Sequence, residues 1–252
     1  MPQKEILGID VGATGMKGAL VNIETGKLTT ERFRLLTPQP ADPVNMSETF
    51  KEIVSEFDYS GPVGCGFPAV IKHNKALTAS NIDNSWIGTD VAVSFGASKD
   101  LPIFVLNDAD AAAIAEMSFG KGINAKGLTL MITIGTGIGS CLFLDGKMIP
   151  NTELGHVRMH GMIAERYCAN SVRKELGLNW EEWGKRFNEY LQYIYHLLSP
   201  DFIVLSGGIS KKFKNYKHLI DLPIDVEPAD LLNNAGIVGA AAYANLMVNG
   251  GH

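Results

Sequence analysis

Residues 6 to 21 read Ile6-Leu7-Gly8-Ile9-Asp10-Val11-Gly12-Ala13-Thr14-Gly15-Met16-Lys17-Gly18-Ala19-Leu20-Val21, two apolar stretches joined by a glycine-rich turn. The pattern returns at Leu130-Met131-Ile132-Thr133-Ile134-Gly135-Thr136-Gly137-Ile138-Gly139-Ser140-Cys141-Leu142-Phe143. A strand, a Gly/Thr turn and a return strand present backbone N–H groups and a hydroxyl to a phosphate. Two such turns predict a phosphate clamp, and therefore phosphoryl transfer, in a chain of two related α/β halves around a cleft.

The composition fits one large or two compact globular domains, with 252 residues, 46% hydrophobic, 19% charged and a net charge of -5. This charge argues against a nucleic-acid partner. Cys65, Cys141 and Cys168 lie far apart, which favours core thiols in a reducing compartment over a disulfide or zinc site. The sequence contains neither an apolar targeting segment nor an apolar run of membrane length. We therefore expect a cytoplasmic protein without a membrane partner.

The two turns differ in their charged residues. Asp10 ends the first strand, and a carboxylate there needs a partner such as the water shell of a metal ion. Lys17 follows at a distance suited to phosphate oxygens. The spacing is not that of a Walker A loop, because Gly18 stands where Ser or Thr is required. A hairpin that uses glycine for geometry alone is the alternative, and the duplication favours a phosphate function.

A carboxylate follows the short apolar run at residues 103–106. Asn107 and Asp108 stand where open α/β sheets place their ligands, at the carboxyl end of a strand. A kinase needs one Asp to accept the proton of the attacking hydroxyl. Asp108 is preferred to Asp110 for this role because it directly follows the strand. The alternative is that Asp108 only caps the next helix.

Two further groups of polar residues are ambiguous by themselves. Glu153 and His156, three apart, can meet vicinal sugar hydroxyls, or they can mark a helix start with a surface histidine. Glu165 is equally ambiguous. The lysines at 211, 212, 214 and 217 follow Gly207-Gly208. Such a run is usually a solvated face, and beside a Gly-Gly turn it could also receive an extended polyanion.

Two sequence patterns predict helix starts. Asn45 with Glu48, and Asn179 with Glu182, have the spacing of a capping box. We expect the second of these to begin a long helix that reaches Leu198.

Taken in this order, the motifs resemble the ROK family of sugar kinases, within the hexokinase–actin superfamily. The resemblance runs nearly end to end and rests on the segments 10–14, 66–68, 107–109, 135–139, 153–156 and 207–210. Within the family the chain is most similar to polyphosphate glucokinases, at residues 85–90, 150–156 and 233–240.

The resemblance implies a fold of two actin-like (ribonuclease H-like) α/β domains with a central active-site cleft. The first domain would comprise residues 1–106, completed by a C-terminal helix at 236–252. The second would comprise residues 107–235. Homodimers are common in the family, whereas the sequence itself does not indicate the oligomeric state.

The resemblance further implies a kinase that phosphorylates the 6-hydroxyl of glucose, with Asp108 as the catalytic base. The phosphoryl donor would be polyphosphate, ATP or both, and the metal cofactor would be Mg²⁺. The hexose site would comprise Asn81, Asn107, Glu153, His156 and Glu165. The donor phosphates would be bound by Asp10, Gly12, Thr14, Lys17, Gly135, Thr136, Gly137, Gly207, Gly208 and Lys211. Asp10 would hold Mg²⁺ through water.

The chain departs from the family pattern twice. Residues 157–165 contain no cysteine, so the zinc cluster of many members is not expected. Ala69 replaces a family glycine, which leaves the sugar preference open.

Three alternatives compete with the glucokinase interpretation. They are an ATP-dependent kinase for another hexose or an N-acetylhexosamine, a non-catalytic sugar-binding protein and a sugar-responsive transcription regulator. We do not expect the regulator, because only about five residues precede Ile6 and a DNA-binding segment would be needed there.

Overall fold

The computed structural model describes residues 4–79, 82–96, 101–231 and 234–250. It divides into two compact units, the first of residues 1–119 with 234–252 and the second of residues 120–233. These limits differ from the predicted boundaries after residues 106 and 235. The helix Asp108–Phe119 packs mainly on the C-terminal helix Ala235–Val248, so both stay with the first unit. In the described ranges no helix has both the length and the apolarity to cross a membrane.

The first unit is built on a six-stranded sheet in the order β3-β2-β1-β5-β8, with β4 also paired to β2. Its elements are β1 (Glu5–Val11), β2 (Met16–Asn22), β3 (Lys27–Leu28), β4 (Phe33–Leu35), α1 (Pro43–Glu56), β5 (Val63–Phe67), β6 (Ile71–Lys72), β7 (Lys75–Ala76), α2 (Val91–Gly96), β8 (Ile103–Asn107), α3 (Asp108–Phe119) and α7 (Ala235–Val248). β1 and β2 form an antiparallel hairpin, and β5 and β8 extend the sheet in parallel. The carboxyl ends of β1, β5 and β8 therefore meet at one edge.

Helix α7 lies directly on the sheet of the first unit because glycines leave room for its backbone. A methyl group at Gly64 of β5 would overlap the carbonyl oxygen of Ala240. Gly239 of α7 is equally close to the Ala111 carbonyl oxygen of α3. These contacts join the last helix of the chain to elements from its first half.

Helix α1 does not begin as its sequence predicts. Asp42 is the N-cap, and its Oδ1 accepts a hydrogen bond of 2.9 Å from the Asn45 N–H. The predicted capping box at Asn45 and Glu48 is wrong because Pro43 fits the first turn, where a helix does not need its N–H.

The second unit is built on a five-stranded sheet in the order β11-β10-β9-β14-β15. Its elements are β9 (Leu128–Ile134), β10 (Ile138–Leu144), β11 (Lys147–Thr152), β12 (Arg158–Met159), β13 (Met162–Ile163), α4 (Ala164–Cys168), α5 (Asn170–Glu175), α6 (Trp180–Leu198), β14 (Phe202–Ser206) and β15 (Asp225–Pro228). Helix α6 starts with the predicted capping box, formed in both directions between Asn179 and Glu182. Its buried face contributes Trp183, Phe187 and Tyr190 to the core.

The two sheets have the same topology. In each, an antiparallel hairpin (β1 with β2, β9 with β10) is extended by an antiparallel strand on one side and by two parallel strands on the other. The prediction of two related α/β halves is therefore confirmed, and the two glycine turns occupy equivalent positions in their sheets.

Candidate active site

Asp10 and Lys17 lie side by side on the first hairpin. They face each other in the register of β1 and β2, and Lys17 Nζ donates a 2.7 Å hydrogen bond to Asp10 Oδ2. The first turn of α7 approaches the same carboxylate, since a methyl group at Gly236 would lie 2.7 Å from Asp10 Cγ. The hairpin thus presents an ammonium group and a carboxylate together at the end of β1.

The first glycine turn is held by side chains from outside it. Thr37 Oγ1 donates a 2.5 Å hydrogen bond to the Gly12 carbonyl oxygen, and Arg34 Nη2 donates one of 3.2 Å to that of Thr14. Within the described part of the chain, the N–H groups of Ala13 and Thr14 donate no hydrogen bond. The turn therefore has the carbonyl oxygens of Gly12 and Thr14 occupied and the N–H groups of Ala13 and Thr14 available, as an anion site requires.

Asn107 and Asp108 stand at the junction of β8 and α3. Asn107 Oδ1 accepts hydrogen bonds from the N–H groups of Ala109 and Asp110, at 2.8 and 3.2 Å, so Asn107 caps the helix. Its Nδ2 donates to the Ala69 carbonyl oxygen at 3.0 Å. Because Asn107 provides the cap, Asp108 is not needed for that purpose. The predicted contact of Asn107 with sugar stays a prediction.

The carboxyl group of Asp108 has an altered acidity. Burial, followed by the negative charge of Asp10, raises the pKa of Asp108 from 3.8 to about 7, with a smaller contribution from Asp110. A hydrogen bond from the Ala109 N–H acts in the opposite direction. A base is most effective when its pKa lies near the working pH, so this carboxyl group suits proton transfer at neutral pH.

The second glycine turn is held in the same manner as the first. Ser171, in α5, donates from its N–H to the Gly135 carbonyl oxygen at 3.2 Å and from Oγ to that of Thr136 at 2.5 Å. No heavy atom lies within 4 Å of the position that a methyl group on Gly135 would take. The turn is therefore fixed through its carbonyl oxygens and open at Gly135.

Glu153, His156 and Glu165 form one cluster in the second unit. His156 Nδ1 lies 3.7 Å from Glu153 Oε2, and its Nε2 lies 3.7 Å from Glu165 Oε1. Burial raises the pKa of Glu153, the nearby His156 lowers it, and the charge of Glu165 raises it. Glu165 also reaches the second turn, because a methyl group on Gly137 would lie 2.5 Å from its Oε2. The cluster offers carboxylate acceptors and an imidazole, which suits binding to neighbouring hydroxyl groups.

Gly207, Gly208 and Lys211 follow β14, next to the second turn. Gly207 has φ +83, which favours glycine, and a methyl group there would lie 2.5 Å from the carbonyl oxygen of Ile134. Ile134 directly precedes Gly135, so the two turns of the second unit are neighbours. A methyl group on Gly208 would meet no heavy atom within 4 Å, and Lys211 is exposed.

The structure also contains a contact that the sequence did not indicate. His160 Nε2 lies 2.5 Å from Glu189 Oε1, and the Tyr167 hydroxyl donates to Glu189 Oε2 at 2.9 Å. Glu189 of α6 thereby fixes the β12–β13 hairpin, which connects His156 to Glu165. The partners are 29 and 22 residues apart, too far for any local pattern to reveal. The predicted sugar residue Asn81 lies outside the described residues.

The residues present are compatible with magnesium that arrives with a phosphate donor. Among the described residues, His, Cys, Asp and Glu side chains form no group of three that could hold a metal ion. Mg²⁺ in phosphoryl-transfer sites commonly uses one or two carboxylates, with waters and substrate phosphates as its other ligands. Asp10, at the end of β1 and beside the first turn, fits this role.

Comparison with known proteins places the chain among sugar kinases. The ROK family model matches residues 6–176. A polyphosphate glucokinase of Mycobacterium tuberculosis (strain CDC 1551 / Oshkosh) is 42% identical over 240 residues, which cover 95% of this chain and 91% of that protein. The crystal structure of inorganic polyphosphate/ATP-glucomannokinase from Arthrobacter sp. strain KM has a TM-score of 0.91 and 41% identity, covering 97% of this chain and 100% of that one. A ROK family glucokinase from Streptomyces griseus, in complex with glucose and AMPPNP, shares the fold, with a TM-score of 0.78, 22% identity and coverage of 94% and 98%.

Proposed function

This chain belongs to the ROK family, and we propose that it is a hexose kinase that phosphorylates the 6-hydroxyl of glucose with polyphosphate or ATP as donor. The observation that carries the proposal is the carboxyl group of Asp108, which directly follows a buried strand and has a pKa of about 7. Relatives named polyphosphate glucokinase at 40 to 42% identity support the reaction and the polyphosphate donor. The name of the glucomannokinase supports both donors.

In this mechanism Asp108 accepts the proton of the sugar hydroxyl. The hydroxyl oxygen attacks the terminal phosphorus in line and forms the new P–O bond, while the bond to the rest of the donor breaks. The bonding electrons leave with the shortened donor, and the proton passes to an Asp108 oxygen. A pKa near 7 leaves the carboxylate ionised in most molecules at slightly alkaline pH, while it still binds the proton well.

The N–H groups of the two glycine turns and the ammonium group of Lys17 stabilise the negative charge of the donor phosphates. N–H groups of a rigid turn stabilise phosphate charge without reorganisation, because they already point outward when the donor binds. Bound Mg²⁺ would neutralise further charge on the donor phosphates, and Asp10 would hold the ion through water. The Lys17–Asp10 contact of 2.7 Å keeps both side chains at this turn.

We assign the sugar to the cluster of Glu153, His156 and Glu165, and we propose Asn81 and Asn107 as further sugar contacts. Carboxylates and an imidazole can pair with the hydroxyl groups of a pyranose, and the Glu189 contact supports the hairpin between them. The name of the glucomannokinase also makes mannose the second sugar to test.

A cytoplasmic location and a homodimer belong to the same proposal. Cys65, Cys141 and Cys168 are free and buried, as is usual in a reducing compartment. The homodimer rests on the family resemblance alone.

The purified protein tests the proposal with glucose and either polyphosphate or ATP, assayed side by side for glucose 6-phosphate. We expect product with both donors. Asp108→Asn should reduce turnover at least about 100-fold while glucose affinity, measured by calorimetry, stays within about twofold. Asp83→Asn, at an exposed Asp of the same unit, is the matched control.

Each failure has a separate meaning. Formation of glucose 6-phosphate with ATP but not with polyphosphate would show that polyphosphate is not a donor. Glucose binding without product from either donor would favour the non-catalytic alternative. Normal turnover of Asp108→Asn would show that another group is the base.

A further inference from the structure

The lysine-rich segment after Gly208 folds as two 3₁₀ turns, Ser210–Asn215 and Lys217–Leu219. A 3₁₀ helix has three residues per turn, so residues three apart in sequence stand above one another on the same edge. The hydrogen bonds follow this spacing, as from the N–H of Tyr216 to the Phe213 carbonyl oxygen at 3.1 Å. The segment kinks at Lys212, whose φ and ψ are not helical.

Burial shows that the three-residue period continues through the kink. Ser210, Phe213 and Tyr216 are buried, and Leu219 packs against the same core. The inner edge is thus anchored by two aromatic rings, which lie 5.5 Å apart between centroids. The segment has one fixed orientation, and the outer edge is fixed with it.

The outer edge carries a row of lysines, formed by Lys211, Lys214 and Lys217. Each directly follows a buried residue of the inner edge, and all three are exposed. At about 2.0 Å of rise per residue, neighbours in the row are about 6 Å apart along the axis. The three ammonium groups therefore lie along one exposed edge of the segment, on a chain of net charge -5.

Acidic partners do not neutralise the outer two lysines. None of the ion pairs formed by described residues involves Lys214 or Lys217, and the Lys217 ammonium instead lies 5.8 Å from the centre of the Phe213 ring. By contrast, Glu181 contacts both Lys185 and His218 nearby. Lys214 and Lys217 therefore keep their charge available to a ligand.

The row begins three residues after Gly208, and the Gly207–Gly208 turn neighbours the second glycine turn. Gly207 lies against the carbonyl oxygen of Ile134, the residue before Gly135, and Gly208 faces open space. A chain of phosphates bound at the turn can therefore continue past Gly208 onto the lysines without leaving the second unit.

We propose that Lys214 and Lys217 bind the distal phosphates of a polyphosphate donor, in continuation of Lys211. The inference rests on the proposed function and deepens it. Lysine binds phosphate as a point charge on a flexible side chain. It can therefore bind any of the repeating phosphates of a polyphosphate chain, whatever position the chain takes along the row. ATP has too few phosphates to extend along the whole row. Binding of a short donor should therefore not depend on Lys214 and Lys217, whereas binding of long-chain polyphosphate should.

The test is the double variant Lys214→Gln/Lys217→Gln, compared with Lys51→Gln/Lys126→Gln, which removes the same charge from exposed sites outside the row. KM is measured for long-chain polyphosphate, tripolyphosphate and ATP. We expect KM for the long chain to rise at least about fivefold, as for two exposed charge contacts. KM for tripolyphosphate and ATP should stay within about twofold. The long-chain KM should also lose much of its dependence on added NaCl.

Other outcomes overturn the proposal in distinguishable ways. An unchanged KM for long-chain polyphosphate would show that the lysines are only a solvated face. An equal rise in the KM for ATP would show a general effect of the substitutions on the fold or on the electrostatic potential of the protein. An equal rise in the control variant would assign the effect to net charge. If the unsubstituted protein used ATP but no polyphosphate, the donor assignment would fail and the lysine row with it.

Discussion

Replacing Asp108 by Asn should stabilise the folded protein at alkaline pH while it abolishes turnover. In the unfolded chain this carboxyl group has the ordinary pKa of 3.8, and in the folded protein the pKa is about 7. Between these values the folded protein retains a proton that the unfolded chain releases. Stability is therefore lost as the pH rises from about 4 to 7.

The size of the effect follows from the two pKa values. At about 1.4 kcal/mol per pKa unit, ionising Asp108 costs the folded state about 4 kcal/mol above pH 7. Asn is never ionised, and its amide oxygen can still accept the Ala109 N–H, which lies 2.8 Å from the Asp108 carboxylate. The substitution should therefore remove the cost without removing the contact. Because the side chain is only partly buried, 4 kcal/mol is a ceiling.

Urea unfolding at pH 5 and pH 8.5, followed by circular dichroism, measures the difference. The gain of Asp108→Asn at pH 8.5 should exceed its gain at pH 5 by up to about 2.5 kcal/mol. Asp83→Asn provides the control, because hydrogen bonds from Ser85 lower the pKa of Asp83 and that variant should show no gain at alkaline pH. An equal gain at both pH values, or a loss at pH 8.5, would refute the assigned cause.

Two further substitutions test packing and positioning. Gly64→Ala should lower the free energy of unfolding by about 1–3 kcal/mol or more, because its methyl group would overlap the backbone of α7. Gly96→Ala is the control. Its methyl group would make only ordinary van der Waals contacts, so it should change the free energy of unfolding by less than about 0.5 kcal/mol. Glu189→Ala should raise the glucose KM by at most about fivefold and leave kcat nearly unchanged, since its contact with His160 is half exposed. Steady-state kinetics against Glu175→Ala, at an exposed site on α5, measures this, and a change in kcat alone would contradict the positioning role.

Features set by neighbours in sequence could be predicted. The glycines at 12 and 135 mark both turns because a strand, a small-residue turn and a return strand are contiguous in the chain. Asp108 could be placed at a strand end for the same reason. The start of α6 was predicted because both partners of its capping box lie within one helical turn.

Features set by distant residues could not be predicted. Thr37 and Ser171 fix the carbonyl oxygens of the two turns from 25 and 35 residues away. Neither residue has a distinctive local pattern, since hydroxyl side chains are common everywhere. The boundary between the units was missed for a related reason, because α3 follows β8 directly and only its contact with the remote α7 assigns it to the first unit.

The place of α7 in the first unit also determines the order in which the protein can be completed during synthesis. Domains fold as their residues emerge, from the N-terminus onward. Residues 120–233 form a contiguous unit and can fold while the ribosome is still translating the remainder. The face of β5 at Gly64 remains uncovered until Ala235–Val248 has been made. The unit that contains Asp108 is therefore begun first and completed only after the second unit, so a chain lacking α7 would leave the first sheet uncovered at Gly64 while residues 120–233 could still fold.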